Sequence, residues 1–255
     1  MVIDFHAHIY PEKIAQKVTE SIGDFYNLKV RGEGTARELL ANEKTDRFVV
    51  HSVAQTPPQV AAVNDFISGA VKENPKFIGF GSLHPDMENP EEEAERLISL
   101  GLKGVKLHPD FQNFNADDKK ADKIYDILSG RLPVLIHCGD YRFERSHPRR
   151  VKNVIKKFPK LVVIGAHYGG WSQFDIALEN LLEENCFLDV SSSIPFLGNK
   201  RAKELIGIYG AQRMLFGSDY PMWSPDSELE RFLSLGLSSS DNDLILYKNA
   251  LRIVE

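Results

Sequence analysis

The sequence predicts an α/β protein built as a parallel barrel, and three observations carry that expectation. Short β-branched and apolar runs alternate with longer stretches of helical period along 255 residues. Eight such runs are present, and a closed barrel of eight βα units takes about 250 residues. Five of the runs also end at once in metal-competent side chains: Asp4-Phe5-His6-Ala7-His8, Lys106-Leu107-His108, Leu135-Ile136-His137, Ala166-His167 and Gly217-Ser218-Asp219. In a parallel barrel the C-terminal ends of the strands share one mouth, so residues distant in sequence converge there.

Taken in order, strands are expected at residues 2–5, 48–53, 77–82, 104–107, 134–137, 162–166, 187–190 and 214–217. The stretch 9–47 is long for one connection and contains Gly23, Gly32 and Gly34, which predicts a helix plus an irregular loop overhanging the mouth. Asn89 reads as an N-cap, Pro90 as the first helical residue, and Glu91 and Glu92 as first-turn acids; Ala94, Leu97 and Ile98 share a face, and Gly101 stops the helix. Ala121, Ile124, Tyr125 and Leu128, with Gly130 behind them, predict another helix. Val151, Val154, Ile155 and Phe158, ending at Pro159, predict a third, and both should pack outside the barrel. Ser238-Ser239-Ser240-Asp241 reads as a loop and cap before a final helix. No repeat or linker divides the chain, so one domain over residues 1–255 is expected.

Composition narrows the function. With 42% hydrophobic and 26% charged residues the chain suits a soluble globular protein with a sizeable core. A formal charge of −5, with acids and bases interspersed, argues against a nucleic-acid partner. Cys138 and Cys186 sit in apolar, strand-like segments, which fits a reducing compartment better than a disulfide framework. No signal peptide or membrane span is visible, so the expected location is the cytoplasm and the expected partner a small-molecule substrate. A homo-oligomer stays open.

Side chains two apart on a strand point to one face, about 6.5 Å apart along the backbone, so His6 and His8 can lean on one ion of the zinc type. His137 closes an apolar run, where the ordinary reading is a hydrogen-bonded strand-end histidine. Asp219 reads as a turn or capping carboxylate, or as one that holds an ion and takes a proton from its water. In combination they favour a site. His167, with Gly169 and Gly170 beyond it, reads as a further ligand or a hydrogen-bond donor to the reacting group. Lys106 can bind a substrate carboxylate or, if carbamylated, bridge two metals; His108 is ambiguous between direct contact and support. Arg142 and Arg145 can pair with a substrate anion, and Tyr168, Trp171 and Trp223 can line an aromatic-tolerant pocket. His51 reads as a satisfied barrel residue, while His84 and His147 precede prolines in loops; none of these three is taken as a ligand.

Together, Asp4-x-His6-x-His8-x-x-Pro11, His137, His167-x-Gly169-Gly170 and Gly217-Ser218-Asp219-Tyr220-Pro221 resemble the amidohydrolase superfamily, specifically its amidohydrolase-2 branch of metal-dependent hydrolases and decarboxylases. The resemblance covers almost the whole chain. It implies a distorted (β/α)8 TIM barrel with one divalent metal ion, zinc ahead of manganese. It makes His6, His8, His137 and Asp219 the ligands, and His167 the residue that polarises substrate or water. Related binuclear branches use a bridging carboxylated lysine or glutamate near this strand, whereas this branch generally works with one ion; Lys106 then reads as a substrate-facing or supporting group.

Two reactions follow from the resemblance. In a hydrolase the ion lowers the pKa of its water toward about 7, Asp219 takes the proton, and His167 or Lys106 steadies the oxyanion. In a decarboxylase the ion clamps the hydroxyl and carboxylate of an aromatic or unsaturated acid. His137-Cys138-Gly139 stands where decarboxylases more often carry histidine followed by proline, and 255 residues is short for them. Hydrolysis of a small carboxylate-bearing ester, lactone or amide is therefore expected first, with decarboxylation as the alternative. Retention of every ligand type speaks against a barrel that only binds. Lys106 in place of an acidic ligand, with the negative net charge, speaks against the metal-dependent DNase branch.

Overall fold

Eight parallel strands run in the order β1 to β8 in the computed structural model, which describes residues 1–255. They are β1 (Ile3–His8), β2 (Arg47–His51), β3 (Phe77–Ser82), β4 (Gly104–Leu107), β5 (Val134–Ile136), β6 (Val163–Gly165), β7 (Phe187–Asp189) and β8 (Met214–Leu215). Every expected strand is present, and the last is only two residues long. Backbone bonds join the ends of the sheet: Phe5 N–H donates to Phe216 O at 2.8 Å, Asp219 N–H to His6 O at 2.8 Å and His8 N–H to Tyr220 O at 2.7 Å. The sheet thus closes as a (β/α)8 barrel.

Helices fill the connections: α1 (Glu12–Tyr26), α2 (Ala36–Leu40), α3 (Val60–Glu73), α4 (Pro90–Ser99), α5 (Asp122–Leu128), α6 (Pro148–Lys157), α7 (Phe174–Leu181), α8 (Ile194–Tyr209), α9 (Pro225–Leu233), α10 (Ser239–Asp243) and α11 (Asn249–Val254). The expected stop of α4 is real, since Gly101 takes φ +80°, which a side chain resists. Its start is corrected in one respect: Asn89 stands at the N-cap position but its side chain makes no capping bond. His147, passed over as a loop residue, caps α6 through Nδ1, which accepts from Arg149 N–H at 3.1 Å. At the last helix pair Ser238 does cap, its hydroxyl accepting from Asp241 N–H.

Two apolar layers result. Ile3, Phe5, Val49, Ile78, Phe80, Leu135, Ile164 and Leu215 fill the barrel, where Ala250 and Val254 of α11 join them. A larger layer lies between the outer strand faces and the helices, with Phe48, Val50, Val105, Val134 and Val163 on the sheet side. In β1 the alternation breaks, because the register against β2 slips between Asp4 and Ala7. The slip lets Phe5 pack in the barrel filling and still brings His6 toward its mouth.

Candidate metal and active site

The C-terminal ends of the strands assemble the expected histidines, and their hydrogen bonds assign their ring nitrogens. His6 Nδ1 lies 2.9 Å from Asp189 Oδ2, an atom that only accepts, so Nδ1 carries the hydrogen and Nε2 keeps a lone pair. Burial pushes the His6 imidazole down to about 4, with Lys106 adding to the shift, so it is neutral at pH 7. That Nε2, which Lys106 Nζ also approaches at 3.1 Å, stands 3.3 Å from His8 Nε2 and 3.2 Å from Asp219 Oδ1, while His8 Nε2 is 3.5 Å from the same oxygen. The other Asp219 oxygen is occupied: Ser192 Oγ donates to it at 2.5 Å and in turn accepts from Trp223 Nε1 at 3.0 Å. Burial raises the Asp219 carboxyl, but His6, His8 and His167 outweigh it and hold the group below the usual carboxylate range.

Three electron-pair donors thus face one another around a point. Tetrahedral ligands about 2.0–2.1 Å from zinc stand about 3.3 Å apart, the spacing found here. The donor set, two imidazole nitrogens and a carboxylate oxygen, fits a divalent transition metal. The Asp189 bond behind His6 is the kind of support that fixes a ligand histidine.

His137 and His167 lie beside this group. His137 Nε2 faces Gly139 O at 3.0 Å and His167 Nδ1 faces Ser191 O at 3.1 Å, so both of these nitrogens donate. Their remaining nitrogens, His137 Nδ1 and His167 Nε2, meet at 3.2 Å. The donor atoms of His6, His167 and Asp219 gather within 4.8 Å, whereas those of His137 group with His108 and Asp110. Residues His167 and Asp219 both hold left-handed backbone, at φ 60° and 62°, as does Ser192 at 50°. Such strain in non-glycine residues collects at functional sites.

Above this floor opens a cavity of about 770 Å3. His8, His108, His137, His167 and Asp219 line its base, Phe111, Trp171, Phe196 and Trp223 its walls, and α1 roofs it with Ile14, Val18, Ile22 and Tyr26. The overhang expected from residues 9–47 is therefore this helix. Tyr26 OH, unforeseen from sequence, sits 3.2 Å from His108 Nε2, and the His108 ring stacks on His137 with centroids 3.9 Å apart.

Of the expected substrate contacts, only His108 reaches the cavity surface. Lys106 is wholly buried beneath the floor, its Nζ 3.1 Å from His6 Nε2, and burial pushes the ammonium down to about 8. Arg142 turns away because Asp140 holds it, at 2.6 Å from Nη2, and it donates to Phe25 O at 2.6 Å, tying the β5 loop to α1. Arg145 bonds Asn113 on the surface. Tyr168 is fully buried behind the site, while Trp171 and Trp223 do line the cavity.

The reading of His51 as a satisfied residue is corrected, since neither of its ring nitrogens has a partner. Sequence reasoning also missed Asp189. Its Oδ1 accepts from His167 N–H and Ser191 N–H, both at 3.0 Å, so one carboxylate orients two histidine-bearing strands. The only signal was an aspartate at the end of an apolar run before three serines.

A parallel barrel whose mouth gathers histidines and an aspartate at this spacing defines a class of barrels with the donor set for a divalent ion. The chain belongs to the amidohydrolase-2 family: residues 3–255 match the family model described as amidohydrolase. It is thereby a member of an enzyme family acting on small-molecule substrates. Among solved structures it is similar to an uncharacterised TIM-barrel protein from Bordetella bronchiseptica, with TM-score 0.77 and 20% identity, over 99% of this chain and 97% of that one. A dihydroxybenzoic acid decarboxylase from a Polaromonas species, with bound manganese, matches at TM-score 0.77 and 16% identity, covering 99% and 96%. A putative 2-pyrone-4,6-dicarboxylic acid hydrolase from Pseudomonas putida matches at 0.73 and 18%, covering 99% and 97%. No helix is long and apolar enough to cross a membrane.

Proposed function

We propose that the protein is a metal-dependent hydrolase of a small, largely apolar ester, lactone or amide. The observation that carries this reading is the convergence of His6 Nε2, His8 Nε2 and Asp219 Oδ1 at the base of an aromatic-walled cavity. These three groups, with His137 as the fourth that the family resemblance supplies, would hold one ion, zinc before manganese. Bound there, the ion supplies Lewis acidity and brings the pKa of a water toward about 7.

The protein's own groups do the rest. Asp219 stays ionised and has one oxygen tied to Ser192, leaving Oδ1 to receive a proton from the attacking water. His167, anchored at Nδ1 by Ser191, turns the lone pair of Nε2 toward the base of the cavity, where it takes up the water's proton from Asp219 and passes it to the leaving group. The aromatic walls fit a flat ring, and α1 over the cavity shields the reacting bond from bulk water. Lys17 at the rim is the one lysine or arginine among the lining residues, so a substrate carboxylate would meet the floor rather than a cation on the wall. Lys106 acts from beneath, through His6, and Arg142 and Arg145 shape the β5 loop. The two free, buried cysteines suit a cytoplasmic setting.

Decarboxylation of an aromatic acid is the second reading, favoured by the same aromatic walls and by the decarboxylase among the similar structures. A panel of aryl esters, unsaturated lactones and anilides, assayed beside hydroxybenzoates with the metal-loaded protein, separates the two. Hydrolytic turnover is expected; release of carbon dioxide without hydrolysis would replace the first reading with the second.

A further inference from the structure

Strand β2 ends in a histidine that the reading above does not use. His51 is fully buried, and its Cα pairs in register with that of His8 on the neighbouring strand. Its ring stands edge-on to His8 with centroids 4.3 Å apart, and 5.0 Å from the His6 ring. Both of its nitrogens lack a hydrogen-bond partner, and so does His8 Nδ1 beside it.

A neutral imidazole has one donor and one acceptor, and leaving either unpaired in the interior costs about 1–3 kcal/mol. Four other histidines of the mouth each have a partner: Asp189 serves His6, Tyr26 serves His108, Gly139 O serves His137 and Ser191 serves His167. An imidazole kept inside a barrel without any protein partner is explained if its partner is not protein. One donor atom each from His6, His8 and His51 lies within 4.8 Å of the others, so a single ion is within common reach.

We propose that His51 is a further imidazole of the metal centre, approaching the ion held by His6, His8 and Asp219 from the β2 side. The inference rests on the metal reading given above. It makes the site richer in nitrogen than the family resemblance implies, which favours zinc, cobalt or nickel over oxygen-seeking magnesium or calcium.

The test uses the full chain freed of metal by chelation. Cobalt(II) uptake is followed by its visible absorption and zinc affinity by competition with a chromophoric chelator, for wild type, His51→Gln and the loop control His84→Gln. His51→Gln should weaken zinc binding about tenfold or more and alter the cobalt bands, while His84→Gln changes neither. Because His51→Gln can fail to fold, nitrogen-15 imidazole spectra of the wild type with and without zinc give an independent reading. One His51 ring nitrogen should move to the metal-bound range. Unchanged His51 resonances, or unchanged zinc affinity and cobalt bands in the folded variant, would overturn the proposal and leave a bridging water as the partner of His51. A wild-type protein that takes up neither cobalt nor zinc would overturn the metal reading itself, and this inference with it.

Discussion

Asp189 shows how much of the centre depends on a residue that touches no substrate. Its two oxygens fix the tautomer of His6 and the backbone of His167. Burial alone would raise its carboxyl, but His6 and His167 keep it below the usual range, so it remains an anion and holds the His6 hydrogen on Nδ1. Asp189→Asn keeps the shape but loses the charge, and metal affinity is expected to fall about 10–100-fold, measured by zinc competition. His167→Asn should do the reverse, keeping the ion in elemental analysis while turnover of a hydrolysed panel substrate falls at least about 100-fold. That His6, His8, His137, His167 and Asp219 meet at one mouth was legible because each is a metal-competent residue at the end of an apolar run. Arg142 and Arg145 were misread because charge and position near the mouth do not reveal where a guanidinium points; here Asp140 and Asn113 take them.

At the scale of elements, strand ends place the chemistry and short turns hold it there. Gly139, just after β5, has φ +81°, and a Cβ on it would come within 2.5 Å of the backbone nitrogen and oxygen of Trp171. The same residue's carbonyl receives His137 Nε2–H, and Trp171 N–H donates to Cys138 O at 2.8 Å, so the two loops are zipped by backbone. Neither partner can move aside as a flexible side chain would. Gly139→Ala is therefore expected to cost about 3 kcal/mol or more in chemical denaturation and to shift the His137 ring. Strand positions were readable from apolar runs alone. The roof was readable only as an overlong connection, because the length of a segment says that it overhangs but not which face of a helix such as α1 looks down.

The whole molecule is a barrel closed by very short strands, and the helices around it carry buried charge. Glu228 on α9 is 2% exposed, and burial pushes its carboxyl up to about 7 although Arg231 beside it pulls the other way. The native state therefore holds this proton more tightly than the unfolded chain, whose glutamate titrates near about 4.3. Stability from this group is complete below the unfolded pKa and is lost as pH rises through the native one. Between pH 5 and pH 8 the wild type should lose about 2.5 kcal/mol relative to Glu228→Gln, read from denaturant midpoints at both values. A wild-type stability that rises over this window relative to the variant would show that Arg231 dominates instead.

The fold and the family leave the metal centre as the central claim, and diffraction tests it directly. Protein purified without chelator, crystallised, and measured on either side of the zinc and manganese absorption edges should show one anomalous peak per chain between His6, His8 and Asp219. Elemental analysis of the same sample should give one ion per chain, with zinc in excess of manganese. Crystals of zinc-saturated protein with no peak at these three side chains would contradict the account.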